Sequence, residues 1–499
     1  MKVFFFSLLL ITPFFSNAQK QGNTWYFGTG AGIDFSTGIP VAIFNGKTGS
    51  DVPTGSNQEG TAVISDSSGK LLLYTSGRTI WNRNHQPMPN GTDIMGGASA
   101  TQSSIIVPKP GSDSLFFVFT TDEFQSYLSF TSKGYRYSVV DMCRDSTRGD
   151  VLLNQKNILL LDSATEKLAV CEDATDDGYW VVGHELFSRK FYAWHLTAAG
   201  LSSPVISDIG TFHGRSDFDH SYRNPASALG QLKINAQGTK IALAIGNYNP
   251  AVVDLFDFNK NTGTVSNFCH IAIDSVLQKR SYGVEFSPDG SKLYAGVSGG
   301  SGGKRLYQYD LTGGGGDCSA IMSSQIKLFQ SNSAFQVVGM QLGPDNKIYV
   351  ICNTPFDVGM INSPDLLGTA CNFDSSVVAL SPASSYYALP AFIAGYKYHN
   401  GISCKTVSPP VNIDSSCTLD VKSRPYPNPF NSLLIVDKKP TRCKVTMRIY
   451  NVIGQLIVKD KVINDGRNEI QTGKIAAGIY FYQLASGNTI LLTGNMLKL

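Results

Sequence analysis

Hydrophobic and polar residues alternate with period two along most of the chain. Tyr282–Val297, YGVEFSPDGSKLYAGV, shows the unit plainly. Tyr282, Val284 and Phe286 alternate with small or polar residues, as in a β-strand with one face buried. Ser287-Pro288-Asp289-Gly290 then carries turn chemistry, and an apolar run resumes from Lys292. Similar strand–turn–strand units have turns near residues 68, 112, 177, 238, 289 and 345, at intervals of 44 to 65 residues. Each is followed by one or two further short strands, roughly the content of one propeller blade. No stretch has a competing period of 3.6.

Six such units leave three N-terminal strands (TWYFG, GIDF and PVAIF) and a late segment, Ser385–Ile393, without partners. Pairing them would complete a seventh sheet and remove exposed edges. The expected fold is therefore all-β: a seven-bladed β-propeller closed by N- and C-terminal strands, followed by a small C-terminal β-sandwich. The expected domains are a signal peptide at 1–18, the propeller at 19–400, a Ser/Pro/Cys-containing linker at 401–422 and a sandwich at 423–499.

The first residues support that division. Lys2, an apolar run from Val3 to Ile11 and the small residues Ser16-Asn17-Ala18 make an export leader, with cleavage expected between Ala18 and Gln19. No apolar stretch reaches the roughly 20 residues that a bilayer span needs. All nine cysteines follow the leader, which points to an oxidising compartment. Cys404 and Cys417 flank the linker and form the expected disulfide. A net charge of +3, without a basic stripe, excludes nucleic acid as an expected partner.

From residue 425 the motifs become specific. They are Tyr426-Pro427-Asn428-Pro429-Phe430, Arg448–Gln455 (RIYNVIGQ), Gly466-Arg467-Asn468, Ala477-Gly478-Ile479-Tyr480-Phe481 and Met496-Leu497-Lys498-Leu499. This tail resembles the type A C-terminal sorting domain of the type IX secretion system of Bacteroidetes. Cys443 departs from the pattern. The resemblance implies an export address, read at the outer membrane by the secretion machinery, with the passenger released or held at the surface. It assigns the sorting motif to Pro427, Asn428, Pro429, Phe430, Gly454, Gly478, Tyr480 and Lys498. The rest of the chain is similar to Bacteroidetes extracellular proteins with WD-repeat-like blades, through Trp25–Gly28, Gly32–Phe35, Glu59-Gly60-Thr61, Ile80-Trp81-Asn82, Tyr282–Pro288 and Ala388-Leu389-Pro390. It lacks the Trp-Asp dipeptides of true WD repeats.

Candidate chemistry is sparse. Gly296–Gly300 matches GxSxG, but a strand rather than a helix follows, so it reads as a loop. His213, Asp217, Asp219 and His220 are metal-ligand types in one loop, but a solvated loop with turn hydrogen bonds explains them better, so no metal is expected. His184 and Glu185 point to opposite faces of a strand, and Trp180 and Trp194 read as core. The sequence therefore predicts a non-enzymatic binding or interaction module, secreted or at the outer cell surface, with no cofactor. Its ligand would be an extracellular glycan, polymer or protein. The alternatives are an extracellular hydrolase or lyase, and a structural component of the envelope or gliding apparatus.

Overall fold

The computed structural model describes residues 20–52, 58–129, 131–214, 225–246, 251–274, 280–298, 303–331, 339–352, 354–387, 389–395, 402–404, 424–440, 444–452, 454–486 and 489–499. The leader and its cleavage site lie outside them. The chain divides into two compact units, the first ending at Cys404.

Among the described residues, the first unit is almost entirely β, with seven separate antiparallel sheets. All six expected hairpins are present. Arg280–Phe286 and Lys292–Ser298, for instance, pair through the Ser287–Gly290 turn, where the Ser287 hydroxyl donates to Asp289 and Gly290 takes φ +74°. Neighbouring sheets pack face to face. Val284, Phe286 and Leu293 meet Val253, Leu255 and Ile271 of the preceding sheet, which buries both faces and accounts for the near-continuous apolar runs.

The closed seven-bladed propeller expected from the sequence is corrected by this topology. Among the described residues, no sheet closes on itself, and strands from the two ends of the unit share no sheet. The first sheet holds Thr24–Phe27, Ala31–Asp34 and Val41–Ile43 alone. It meets the last sheet through side chains only, Trp25 and Phe27 packing with Tyr349, Val358 and Met360. The segment expected to join it packs Leu389 and Phe392 around Trp25, but its backbone bonds go elsewhere. The Ala391 N–H donates to the Thr61 carbonyl and that of Ala394 to Val170, both at 2.8 Å, as isolated parallel bridges to the second and fourth sheets. A Cβ on Gly395 would lie 2.1 Å from the Ala236 carbonyl, so this crossing requires glycine. Period-two patterning specifies a strand's faces but not its partner, which is why the misplaced segment was not legible.

The second unit has a two-stranded sheet, Leu433–Lys438 with Gly466–Gln471, and a four-stranded one in the order Leu456–Ile463, Val445–Asn451, Gly478–Ser486, Thr489–Lys498. Phe430, Leu434, Val436, Met447, Ile449, Tyr480, Tyr482, Leu484 and Met496 share one core. Each such side chain contributes about 1.5–3 kcal/mol on burial. Among the described residues, no helix is long and apolar enough to cross a membrane.

Candidate functional sites

In the second unit the first and last motifs meet. Asn428 sits between two prolines that remove backbone donors, leaving its side chain to make the contacts. Its Nδ2 donates to the Asn495 carbonyl at 3.2 Å, and its Oδ1 accepts from the Leu497 N–H at 2.8 Å. The Phe430 N–H donates to the Leu497 carbonyl and the Leu499 N–H to that of Phe430. Lys498 is buried along its stem, and its Nζ donates to Asn431 Oδ1 at 3.3 Å. Gly454, at φ +79°, closes the turn that starts at Asn451, and Gly478 has φ +151°. The Tyr480 ring is core, while its hydroxyl donates to the Ala476 carbonyl at 2.8 Å. The structure thus brings Pro427, Asn428, Pro429, Phe430 and Lys498 together and leaves Gly454, Gly478 and Tyr480 as shaping residues.

In the first unit, a cavity of about 210 Å³ is lined by Glu59, Ser99, Phe124, Arg280, Tyr282 and Tyr387, among others. Glu59 immediately precedes the second sheet, and its carboxylate is buried. Tyr282 donates to Glu59, and the Ser99 hydroxyl donates to Glu59 Oε1 at 2.8 Å. Burial first, then the charge of Glu166, pushes the Glu59 carboxyl up to about 8. Burial therefore favours the protonated form of this carboxyl more than an exposed glutamate would.

Glu166 and Lys167 lie beneath it on Ala164–Glu172. Glu166 accepts from the Thr101 N–H and hydroxyl at 2.9 and 2.7 Å and from the Phe124 N–H at 2.8 Å. Lys167 Nζ donates to the carbonyls of Ser227, Ala228 and Leu229 at 3.1, 2.6 and 2.6 Å. Desolvation drives Glu166 up and Lys167 down, and each charge partly offsets the other's shift. Together they fix the loops around the cavity. Elsewhere in the unit, two buried glutamines tie neighbouring sheets to each other. Gln102 bridges Leu168 and Leu232, and Gln231 bridges Val284 and Met340.

Of the candidate metal ligands, His213 alone lies among the described residues. His213 is buried against His184, ring centroids 4.0 Å apart, with Asp217, Asp219 and His220 outside the described residues. Both Nδ1 atoms face carbonyls, of Glu185 at 2.8 Å and Thr211 at 3.1 Å. Burial, reinforced by nearby Lys167, lowers His184 to about 3 and His213 well below the usual range, so both are neutral. No group of three ligating side chains occurs among the described residues.

The disulfide expectation is also corrected. Cys404 pairs with Cys143, and Cys269 with Cys318, whereas Cys417 lies outside the described residues. Ile402 packs on the core between the second and third sheets, which carries Cys404 back to Cys143. Trp180 and Trp194 are core, as expected. Glu59, Glu166 and Lys167 were missed as site residues. Their only sequence signal is a charge set within otherwise small and apolar stretches.

Residues 424–496 match the family described as "Secretion system C-terminal sorting domain". No curated protein matches the chain. Among solved structures, the chain is similar to a candidate 6-phosphogluconolactonase of Bacteroides uniformis ATCC 8492, at 12% identity and a TM-score of 0.41, covering 72% of this chain and 98% of that one. A functionally unknown protein of Desulfotomaculum acetoxidans DSM 771 matches at 11% and 0.40, covering 74% and 99%. Likeness this remote says nothing about activity. The chain ends in a secretion system C-terminal sorting domain, of the kind carried by proteins that the type IX system exports to the cell surface or beyond.

Proposed function

We propose that the first unit is an exported binding module whose cavity at Glu59 takes a small hydroxyl- or amide-bearing group, such as the end of an extracellular glycan, and that the tail is a type A sorting domain. The observation that carries the binding reading is the buried Glu59 carboxyl, held by Tyr282 and Ser99 beside the aromatic walls of Phe124 and Tyr387. Such a set offers donors and acceptors beside aromatic faces, with Arg280 as a further donor, which suits a polar, hydroxyl-bearing ligand. At about 210 Å³ the cavity is smaller than pockets for drug-sized ligands, roughly 300–1,000 Å³, so it suits one terminal unit of a polymer.

The test is calorimetry of the full chain against a panel of soluble oligosaccharides. A saturable signal that weakens about tenfold in Ser99→Ala supports the reading. Binding that survives both Ser99→Ala and Glu59→Gln contradicts it. The second reading is an extracellular hydrolase or lyase. It is favoured by the burial that raises the Glu59 carboxyl, the property of a general acid. Turnover of a bound oligosaccharide that Glu59→Gln abolishes, with binding retained, selects it.

A further inference from the structure

The four-stranded sheet of the tail has an outer face that its own core does not use. Strand alternation sends Tyr480, Tyr482 and Leu484 inward, and therefore Ile479 and Phe481 outward. The register then gathers apolar residues from all four strands. Leu456 lies opposite Tyr450, Tyr450 opposite Phe481, and Ile479 opposite Leu497. Their exposures are high for such side chains: 52% for Ile479, 46% for Phe481 and 40% for Leu497, with Val452 at 65% in the adjoining turn. Tyr450, Val452 and Phe481 also line an open hollow of about 620 Å³ with Gln483, Thr493 and Asn495. Single exposed apolar residues are ordinary, but a contiguous set in register marks a contact surface.

Charge narrows the partner. Residues 424–499 contain eleven Lys and Arg against four Asp and Glu, a net +7, while the whole chain carries +3, so the remainder carries −4. A basic domain with an apolar face is complementary to an acidic surface with an apolar ridge. We propose that the face formed by Tyr450, Val452, Leu456, Ile479, Phe481 and Leu497 is where the tail docks on an acidic protein surface of the secretion apparatus. This rests on the sorting reading of the tail. Ile479 and Phe481 then have a role in the Ala477–Phe481 motif that folding does not require of them.

The experiment expresses the full chain in a bacterium with a type IX system and measures the exported fraction. Ile479→Ser with Phe481→Ser is expected to lower export at least tenfold, with protease-resistant full-length protein left in the periplasm. Val462→Ser with Ile490→Ser, at the other end of the same outer face, is expected to stay within twofold. Should the first pair lose protease resistance, Leu497→Ser carries the test in its place. Normal export of a folded Ile479/Phe481 pair, while a chain ending at Val421 stays behind, overturns the docking face alone. Export of the truncated chain overturns the sorting reading itself. If purified full chain binds phosphatidylglycerol–phosphatidylcholine vesicles and the first pair abolishes this, the face meets lipid and the protein partner is overturned.

Discussion

Glu59, Glu166 and Lys167 lie out of water in the first unit, each with its hydrogen-bonding capacity directed at neighbouring loops and strands. In the tail the arrangement is reversed. The interior is apolar, the surface is basic, and the four-stranded sheet turns apolar side chains outward. Polar groups taken inside are costly unless satisfied, so their cluster defines a preorganised cavity. Apolar groups left outside gain nothing from folding, so their cluster defines a surface for something else. One protein thus holds two kinds of site, and each is recognised by the residues that its unit's folding does not explain.

The largest effect that would break this comparison lies at Glu166. Glu166→Ala leaves the Thr101 and Phe124 N–H groups unpaired and Lys167 buried without its counter-charge. It is expected to cost the first unit about 3–5 kcal/mol in urea unfolding, with the tail's hydrogen exchange unchanged. A cost under about 1 kcal/mol would mean that water already reaches the cluster.

The next effect is on pH. Folding raises Glu59 from 4.5 to about 8, so the folded chain binds a proton that the unfolded chain has released. This contribution is complete below 4.5 and is lost as pH rises through about 8. The Glu59 contribution to the first unit's stability should therefore fall by about 5 kcal/mol across that window, and Glu59→Gln should remove that part of the fall. An equally steep profile in the variant would move the proton elsewhere.

Smaller effects sharpen the contrast within the tail. Ile449→Val removes one buried methylene and should cost about 1 kcal/mol in the exchange of that unit's strands. Phe481→Ser removes a whole ring from the outer face, yet should cost no more than about 0.5 kcal/mol. A larger loss for Phe481→Ser would make its ring part of the fold rather than of a docking surface.

The tail was the more legible region. Gly454 closes a turn and Gly478 opens a strand, and its opening and closing motifs, spelled out by residue type, prove to be hydrogen-bonded to each other. The hairpins of the first unit were legible for the same reason, since turns rich in Gly, Asp, Asn and Ser and period-two runs are local signals. What the sequence did not reveal was long-range. Ala391 and Ala394 pair with residues more than 200 positions earlier, Cys404 reaches Cys143, and Tyr282 reaches Glu59. None of these partners leaves a mark near the residue it pairs with. The contact of His213 with His184 is long-range in the same way, and neither residue's neighbours in the sequence announce it.

The most direct test of the division between an exported binding unit and a tail that addresses it is localisation with intact mass, comparing the full chain with one ending at Val421. The account predicts that the full chain reaches the surface or the medium, while the truncated chain folds and remains in the periplasm. Equal export of both would contradict it, because the tail would then not be what sends the first unit out.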